Sequence, residues 1–401
     1  MLIHQILIDP SGVSALPPKL YSPTMDRRAA LKSLGILAGA IALDGCASKH
    51  VSQAAIPPAP TAPPLLKLPK VDVSPDREIR TVVGLRPFRP SGFVVAAQKF
   101  DDKLVVHNYG HGGGGVTLSW GTAELACREV DAAGVKNVAV LGCGAVGLAT
   151  ARLLQERGCR VTIYAKALPP NTTSNIAGAQ WCPVSVYHHG KEAPGFLPRF
   201  VEASHIANRR YQLMVGSRYG IRWMPNFVMG RDSIPPGALL ALDSPIRDLL
   251  PEMHDLAPPQ NPFPYPWVRQ FDTMMIEPNT YLPAVMQDFR IAGGQIEVRE
   301  IREIAELQTL PEKVIVNCTG LGAKALFGDE ELTPVKGQLT ILLPQSDIAY
   351  CTLPEDLYMF PRTDGILLGG THETGVWSLE PNLEAKQRIV AGHQQFFRDM
   401  R

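Results

Sequence analysis

Polar Lys136 and Asn137 open onto four consecutive apolar residues, Val138-Ala139-Val140-Leu141, a short run without alternation. A strand buried on both faces of a parallel sheet reads this way. The run enters Gly142-Cys143-Gly144-Ala145-Val146-Gly147, residues 148–157 have helical composition, and Gly158-Cys159-Arg160-Val161-Thr162-Ile163-Tyr164 supplies a second strand. The pattern predicts a βαβ unit with a dinucleotide turn. The first glycine makes the turn, the second admits a pyrophosphate against backbone, and the third packs helix on strand. The helix N-terminus offers free N–H groups to phosphate. Gly142, Cys143, Gly144, Ala145, Val146 and Gly147 are therefore candidate cofactor contacts. An acidic residue is expected at the end of the second strand to hold the adenosine ribose. Ala165-Lys166-Ala167 stands there instead. With Lys166 at that position, the ribose contact must come from elsewhere or the cofactor is held less tightly.

Composition narrows the rest. At 401 residues the chain can bury two cores, and 45% apolar with 19% charged residues describes a globular protein. Lys and Arg total 39 against 38 Asp and Glu, which gives no nucleic-acid footprint. Seven cysteines show neither CxxC spacing nor a Cys/His cluster, so no metal site is expected and the six beyond Cys46 read as buried small hydrophobes.

The first seventy residues read as an address. Arg27-Arg28 precede Ala29-Ala30-Leu31-Lys32-Ser33-Leu34-Gly35 and an apolar run over 36–43, which resembles a twin-arginine export signal and is too short to span a bilayer. Leu43-Asp44-Gly45-Cys46 resembles a lipobox. Ile56-Pro57-Pro58-Ala59-Pro60-Thr61-Ala62-Pro63-Pro64 is a stiff tether. Met25 is read as the start, with residues 1–24 a spurious extension. The expected partners are the twin-arginine export machinery and, if Cys46 is acylated, a membrane through that anchor alone. The expected location is the periplasm, tethered to the envelope.

The turn alone does not separate NAD from FAD. Pro169-Pro170-Asn171-Thr172-Thr173-Ser174-Asn175-Ile176-Ala177-Gly178-Ala179-Gln180-Trp181-Cys182-Pro183 resembles a stretch of the FAD-dependent D-amino-acid oxidase family. Val314-Ile315-Val316-Asn317-Cys318-Thr319-Gly320, Lys336-Gly337-Gln338, Tyr358-Met359-Phe360-Pro361-Arg362 and Leu368-Gly369-Gly370-Thr371 with Gly375-Val376-Trp377 are similar to further blocks. Upstream, Val83-Gly84-Leu85-Arg86-Pro87-Phe88-Arg89-Pro90 and His107-Asn108-Tyr109-Gly110-His111-Gly112-Gly113-Gly114-Gly115-Val116-Thr117-Leu118 resemble segments that lie near the family's C-terminus. The order here is inverted. A circular permutation accounts for it, with the old ends joined over 125–135 and new ends cut between a helix at 383–398 and a strand at 80–86.

The resemblance implies a role for each residue. Arg86 would clamp a substrate carboxylate with two parallel donors, while Arg89 would brace the loop. Gly112, Gly113, Gly114 and Gly115 would let backbone approach the flavin edge, with Gly113 among the catalytic candidates because N–H groups there can stabilise negative charge. Val116 and Thr117 extend that loop. Lys166, Thr172, Thr173, Ser174, Gly178, Ala179, Gln180 and Thr319 complete the expected FAD contacts. His107 and His111 are assigned to loop structure, since the family moves a hydride directly to flavin N5. The register through residues 271–282 puts Phe271 where the family has a substrate-binding tyrosine; Tyr265 lies near. Trp181, Trp223 and Trp267 are either pocket wall or core.

The expected fold is α/β + α: a Rossmann-like FAD-binding domain with an antiparallel-sheet substrate domain, circularly permuted. Residues 1–46 are extension and signal, 47–71 linker, 72–135 the permuted segment, 136–185 the FAD-binding core. Residues 186–300 are mainly substrate domain, 301–335 the FAD-domain return, and 336–401 substrate-domain strands with a terminal helix. The expected activity is oxidation of the CH–NH2 bond of a (D-)amino acid, giving imino or keto acid and ammonia, with O2 or another acceptor. The alternatives are an amine or imino-acid dehydrogenase with a non-oxygen acceptor, and a non-catalytic flavin-binding envelope lipoprotein.

Overall fold

A computed structural model describes residues 64–401, which form one compact unit. The twin-arginine stretch, Cys46 and nearly all of the proline-rich tether lie outside the described residues. The elements are β1 (Glu78–Phe88), β2 (Val94–Phe100), β3 (Lys103–Tyr109), α1 (Gly115–Ala132), β4 (Asn137–Leu141), α2 (Ala145–Glu156), β5 (Arg160–Ala165) and α3 (Thr173–Ile176). There follow α4 (Phe196–Gln212), β6 (Ile221–Gly230), β7 (His254–Asp255), β8 (Trp267–Ile276), α5 (Pro278–Ile291), β9 (Gln295–Val298), α6 (Ile304–Leu307), β10 (Val314–Asn317) and α7 (Gly322–Phe327). The chain ends with β11 (Thr333–Leu342), β12 (Cys351–Pro354), β13 (Tyr358–Arg362), β14 (Gly365–Gly369), β15 (Glu373–Thr374) and α8 (Leu383–Asp399).

The apolar run at 138–141 forms β4, buried at every apolar position, between β10 and β5. That sheet runs β2-β3-β10-β4-β5-β9, parallel except for the β2–β3 hairpin at its edge. The second sheet runs β1-β11-β14-β13-β12-β6-β8-β7, with β15 also on β11. It departs from a purely antiparallel sheet at one place, where β12 pairs with β6 in parallel. One hydrophobic cluster reaches both sheets, from Val140 and Ile163 to Leu339 and Phe271. The two sheets are thus halves of one body sharing a core.

The segment ahead of the dinucleotide turn contributes to both sheets. β1 lies antiparallel on β11, with Gly84 opposite Gly337; β3 lies parallel on β10, with His107 opposite Asn317. α1 continues through Ala132, so residues 133–136 connect it to β4. Gly134 there has φ +66, a turn conformation natural to glycine. The linker also ends earlier than residue 71. Val71 and Val73 are buried in a second apolar cluster with Phe396 and Phe397, and the Tyr350 hydroxyl donates to the Pro69 carbonyl. Burial of those two valines docks the strap before β1 begins.

Candidate active site

A cavity of about 900 Å³ runs between the sheets, at the upper end for small-molecule sites. At one end lies the β4–α2 turn. Gly142 has φ +105, and a Cβ there would lie 2.6 Å from the Cys318 carbonyl oxygen. A Cβ on Gly147 would stand 2.1 Å from the Gly142 carbonyl oxygen, which is how the third glycine lets α2 settle on β4. No side chain of Gly144 caps α2; the Ser174 hydroxyl accepts from the Ala145 amide at 3.0 Å, so the helix N-terminus and the α3 hydroxyl face one point. Thr172 is locked by Asn175 in a capping box, and Thr173 lines the cavity beside it.

The glycine loop, which follows β3 of the same sheet, flanks the same cavity. Gly112 has φ +54, and a Cβ there would meet the Ser185 carbonyl oxygen at 2.2 Å. The Gly113 amide donates to that carbonyl at 2.9 Å, and the Gly114 amide to His111 O at 2.9 Å. Both N–H groups are already taken by protein carbonyls, so the Gly113 amide does not supply the charge stabilisation expected of it. The uncapped donors belong to the first turn of α1, at Gly115, Val116 and Thr117, all of which line the cavity. Two helix N-termini, of α1 and α2, therefore border one cavity.

Arg86 projects from β1 across β11. Gly337 makes room for it: a Cβ at 337 would lie 2.5 Å from Arg86 Nη1. Nη1 donates to Thr371 O and Nη2 to the Tyr358 hydroxyl, each at 3.3 Å. Among the described residues no carboxylate pairs with this half-buried guanidinium. Arg89 is different: it is spent on Asp329 at 2.8 Å and Glu331 at 2.6 Å, and it also donates to Gly92 O. It braces the turn between β1 and β2.

The family model described as DAO, FAD dependent oxidoreductase, matches residues 137–400. The chain belongs to this family. A D-amino-acid oxidase of Streptomyces coelicolor is 30% identical over 262 residues, covering 63% of this chain and 75% of the relative. A D-aspartate oxidase of Homo sapiens is 29% identical over 262 residues, covering 64% and 74%. The structure of a glycine oxidase from Bacillus cereus shares the fold with a TM-score of 0.50 at 16% identity, covering 65% of this chain and 78% of that one. The enzyme is FAD-dependent. The residues fit that cofactor: the turn glycines leave no room for a Cβ, and the N-termini of α1 and α2, each with a glycine and no side chain at its N-cap, suit its phosphates and its ring edge.

Among the expected FAD contacts, Gly142, Cys143, Gly144, Ala145, Val146, Lys166, Thr172, Thr173, Ser174, Gly178, Ala179, Gln180 and Thr319 line the cavity, as do Gly112, Gly113, Gly115, Val116, Thr117 and Arg86. Gly147 and Gly114 do not line it; they are packing glycines, and a Cβ on Gly114 would lie 2.6 Å from Val186. Phe271 is placed elsewhere. It is fully buried in the core on β8, opposite Asn226, and five strands separate β8 from β1. The hydroxyl beside the arginine is that of Tyr358, on β13. Its ring is cleared by Gly369, where a Cβ would lie 2.1 Å away, and it stacks on Phe360 with centroids 5.1 Å apart. The signal was the Tyr358-Met359-Phe360 alternation, which sends both rings to one face of β13. Trp181, Trp223 and Trp267 stay out of the cavity lining, and Trp377 enters it. Tyr265 packs on Phe396.

Electrostatically the site is quiet apart from Arg86. Burial pushes His107 down to about 4 and His111 to about 3. His107 hydrogen-bonds Gln98 and Asn317, and His111 bonds Thr122 at 2.8 Å. His372, lining the cavity, is pushed down to about 3 by burial and then by the Arg86 charge. Burial pushes the Cys143, Cys182 and Cys318 thiols up to about 12, so none presents a thiolate at neutral pH. No group of His, Cys, Asp or Glu among the described residues could hold a metal ion.

Proposed function

We propose that the enzyme oxidises the CH–NH2 bond of an amino acid, of the D series on the strength of its relatives' names, giving an imino acid that water converts to a keto acid and ammonia. One observation carries the reading: Arg86, without a carboxylate partner among the described residues, meets the Tyr358 hydroxyl in the cavity that the dinucleotide turn also lines. A bidentate guanidinium–carboxylate pair with one added hydroxyl donor fixes the carboxylate in a plane and so orients the α-carbon. Bound FAD supplies the two-electron acceptor. Val83, Leu85, Leu339, Leu353 and Phe360 wall this end and keep water from the reacting carbon. The first-turn amides of α1, which line the same cavity, would hold negative charge there. The final electron acceptor is O2, giving H2O2, or another oxidant, and oxygen uptake measured against dye reduction separates the two. Arg86→Leu tests the assignment: it is expected to keep FAD and lose about 10³-fold in kcat/KM, and full activity would sink it.

The same reading includes the chain order. The family match leaves out residues 78–135, yet these supply β1 to one sheet and β3 to the other. The C-terminal helix touches the start of β1 through Lys386 and Glu78 at 2.6 Å. Both support a circular permutation. A chain reordered to begin at residue 137 should fold and bind FAD.

The address is proposed alongside it: twin-arginine export of the folded, FAD-loaded enzyme, acylation at Cys46, and a periplasmic site tethered to the envelope. Arg27-Arg28 and the proline-rich stretch support it. Radiolabelled palmitate incorporated by the wild type and lost in Cys46→Ala is the expected result.

A further inference from the structure

β5 ends without the acidic residue that ordinarily receives the adenosine ribose, and Lys166 follows its last residue. The neighbouring strand brings an acid to the same place. β9 runs parallel to β5 with Val298 opposite Ala165, and the Arg299 amide donates to Ala165 O at 3.1 Å. Residues 299–301 are thereby carried past the tip of β5, and Arg299, Glu300 and Ile301 line the cavity together with Lys166 and Ala167. Glu300 Oε1 lies 3.6 Å from Lys166 Nζ, and its other oxygen takes Arg302 at 2.9 Å. We propose that Glu300 replaces the missing β5 acid and accepts hydrogen bonds from the ribose hydroxyls of the FAD adenosine, with Lys166 and Arg302 positioning its carboxylate.

The position of the pair favours this over a solvated surface pair. An exposed ion pair contributes little to stability by itself, whereas this one sits on the lining of the cofactor cavity at the position where an acid belongs. Hydrogen bonding to Arg302, followed by the Arg302 and Lys166 charges, also keeps the Glu300 carboxyl below the usual carboxylate range, so it is an acceptor throughout the working pH range. The inference rests on FAD binding and not on which substrate is oxidised.

The test is FAD affinity. Apoprotein is titrated with FAD and quenching of flavin fluorescence gives Kd for the wild type and Glu300→Gln, with apoprotein melting measured in parallel. Loss of a charged acceptor should weaken Kd about tenfold or more with melting unchanged. The sign is diagnostic. FAD carries a pyrophosphate, so a Glu300 acting only through space repels it, and Glu300→Gln would then tighten binding. Affinity that is unchanged or tighter, or a weakening accompanied by loss of apoprotein stability, overturns the proposal.

Discussion

The Arg86 guanidinium meets the Tyr358 hydroxyl at 3.3 Å from the opposite side of β11 and β14, with Gly337 beneath the arginine and Gly369 beneath the tyrosine ring. Two donors converge there because two strands between them give up side chains where those groups pass. Among the described residues neither donor is neutralised by a carboxylate, which is the condition for a site that recruits one.

Tyr358→Phe deletes one donor to the carboxylate and should cost about tenfold in kcat/KM while leaving the flavin spectrum unchanged. Phe271→Tyr is the complementary variant. It buries a hydroxyl in the apolar core, so it should lose about 1–3 kcal/mol of stability and gain nothing in kcat/KM. Improved turnover in Phe271→Tyr would contradict the placement of the substrate hydroxyl on β13.

Gly337→Ala places a methyl group 2.5–2.7 Å from the Arg86 guanidinium atoms. The arginine must move, and a displacement near 1 Å suffices for about a hundredfold loss in kcat/KM. FAD content should stay at the wild-type level, because Gly337 lies on β11, away from the β4–α2 turn. Steady-state kinetics beside the visible spectrum checks both halves.

Acid should unfold the enzyme through its buried histidines. Burial holds His111 at about 3 and His393 at about 4 against an ordinary 6.5. Each is neutral in the fold and takes a proton in the unfolded chain, so the stability it contributes is complete above about pH 6.5. That stability is lost as pH falls from there toward the folded values. Each histidine adds a slope of about 1.4 kcal/mol per pH unit in that window. Denaturant midpoints between pH 7 and pH 5 should fall accordingly, and a flat profile would contradict the burial of these rings.

What could be read along the chain was what local chemistry dictates. Gly142, Gly144 and Gly147 are demanded by a turn of six residues, and the Arg86-Pro87 block carries its own direction, so both could be located without a fold. Tyr358 and Glu300 are of another kind. Phe271 and Tyr358 lie on different strands of one sheet, and only the order β13-β12-β6-β8 shows which of them is near the arginine. Glu300 becomes a candidate only once β9 is seen beside β5. The glycine loop lines the cavity, while the donors it was credited with belong to the next turn, because the Gly113 amide is taken by Ser185 O and the Gly114 amide by His111 O.

The central claim is that an amino acid, clamped by Arg86 and Tyr358, reduces the bound flavin. Anaerobic titration of the FAD-loaded enzyme with D- and L-amino acids, glycine and simple amines tests it directly. Loss of the flavin's visible absorption with at least one D-amino acid, abolished in Arg86→Leu, is the predicted result. A flavin that stays oxidised with every amino acid, or bleaches equally well in Arg86→Leu, would contradict it.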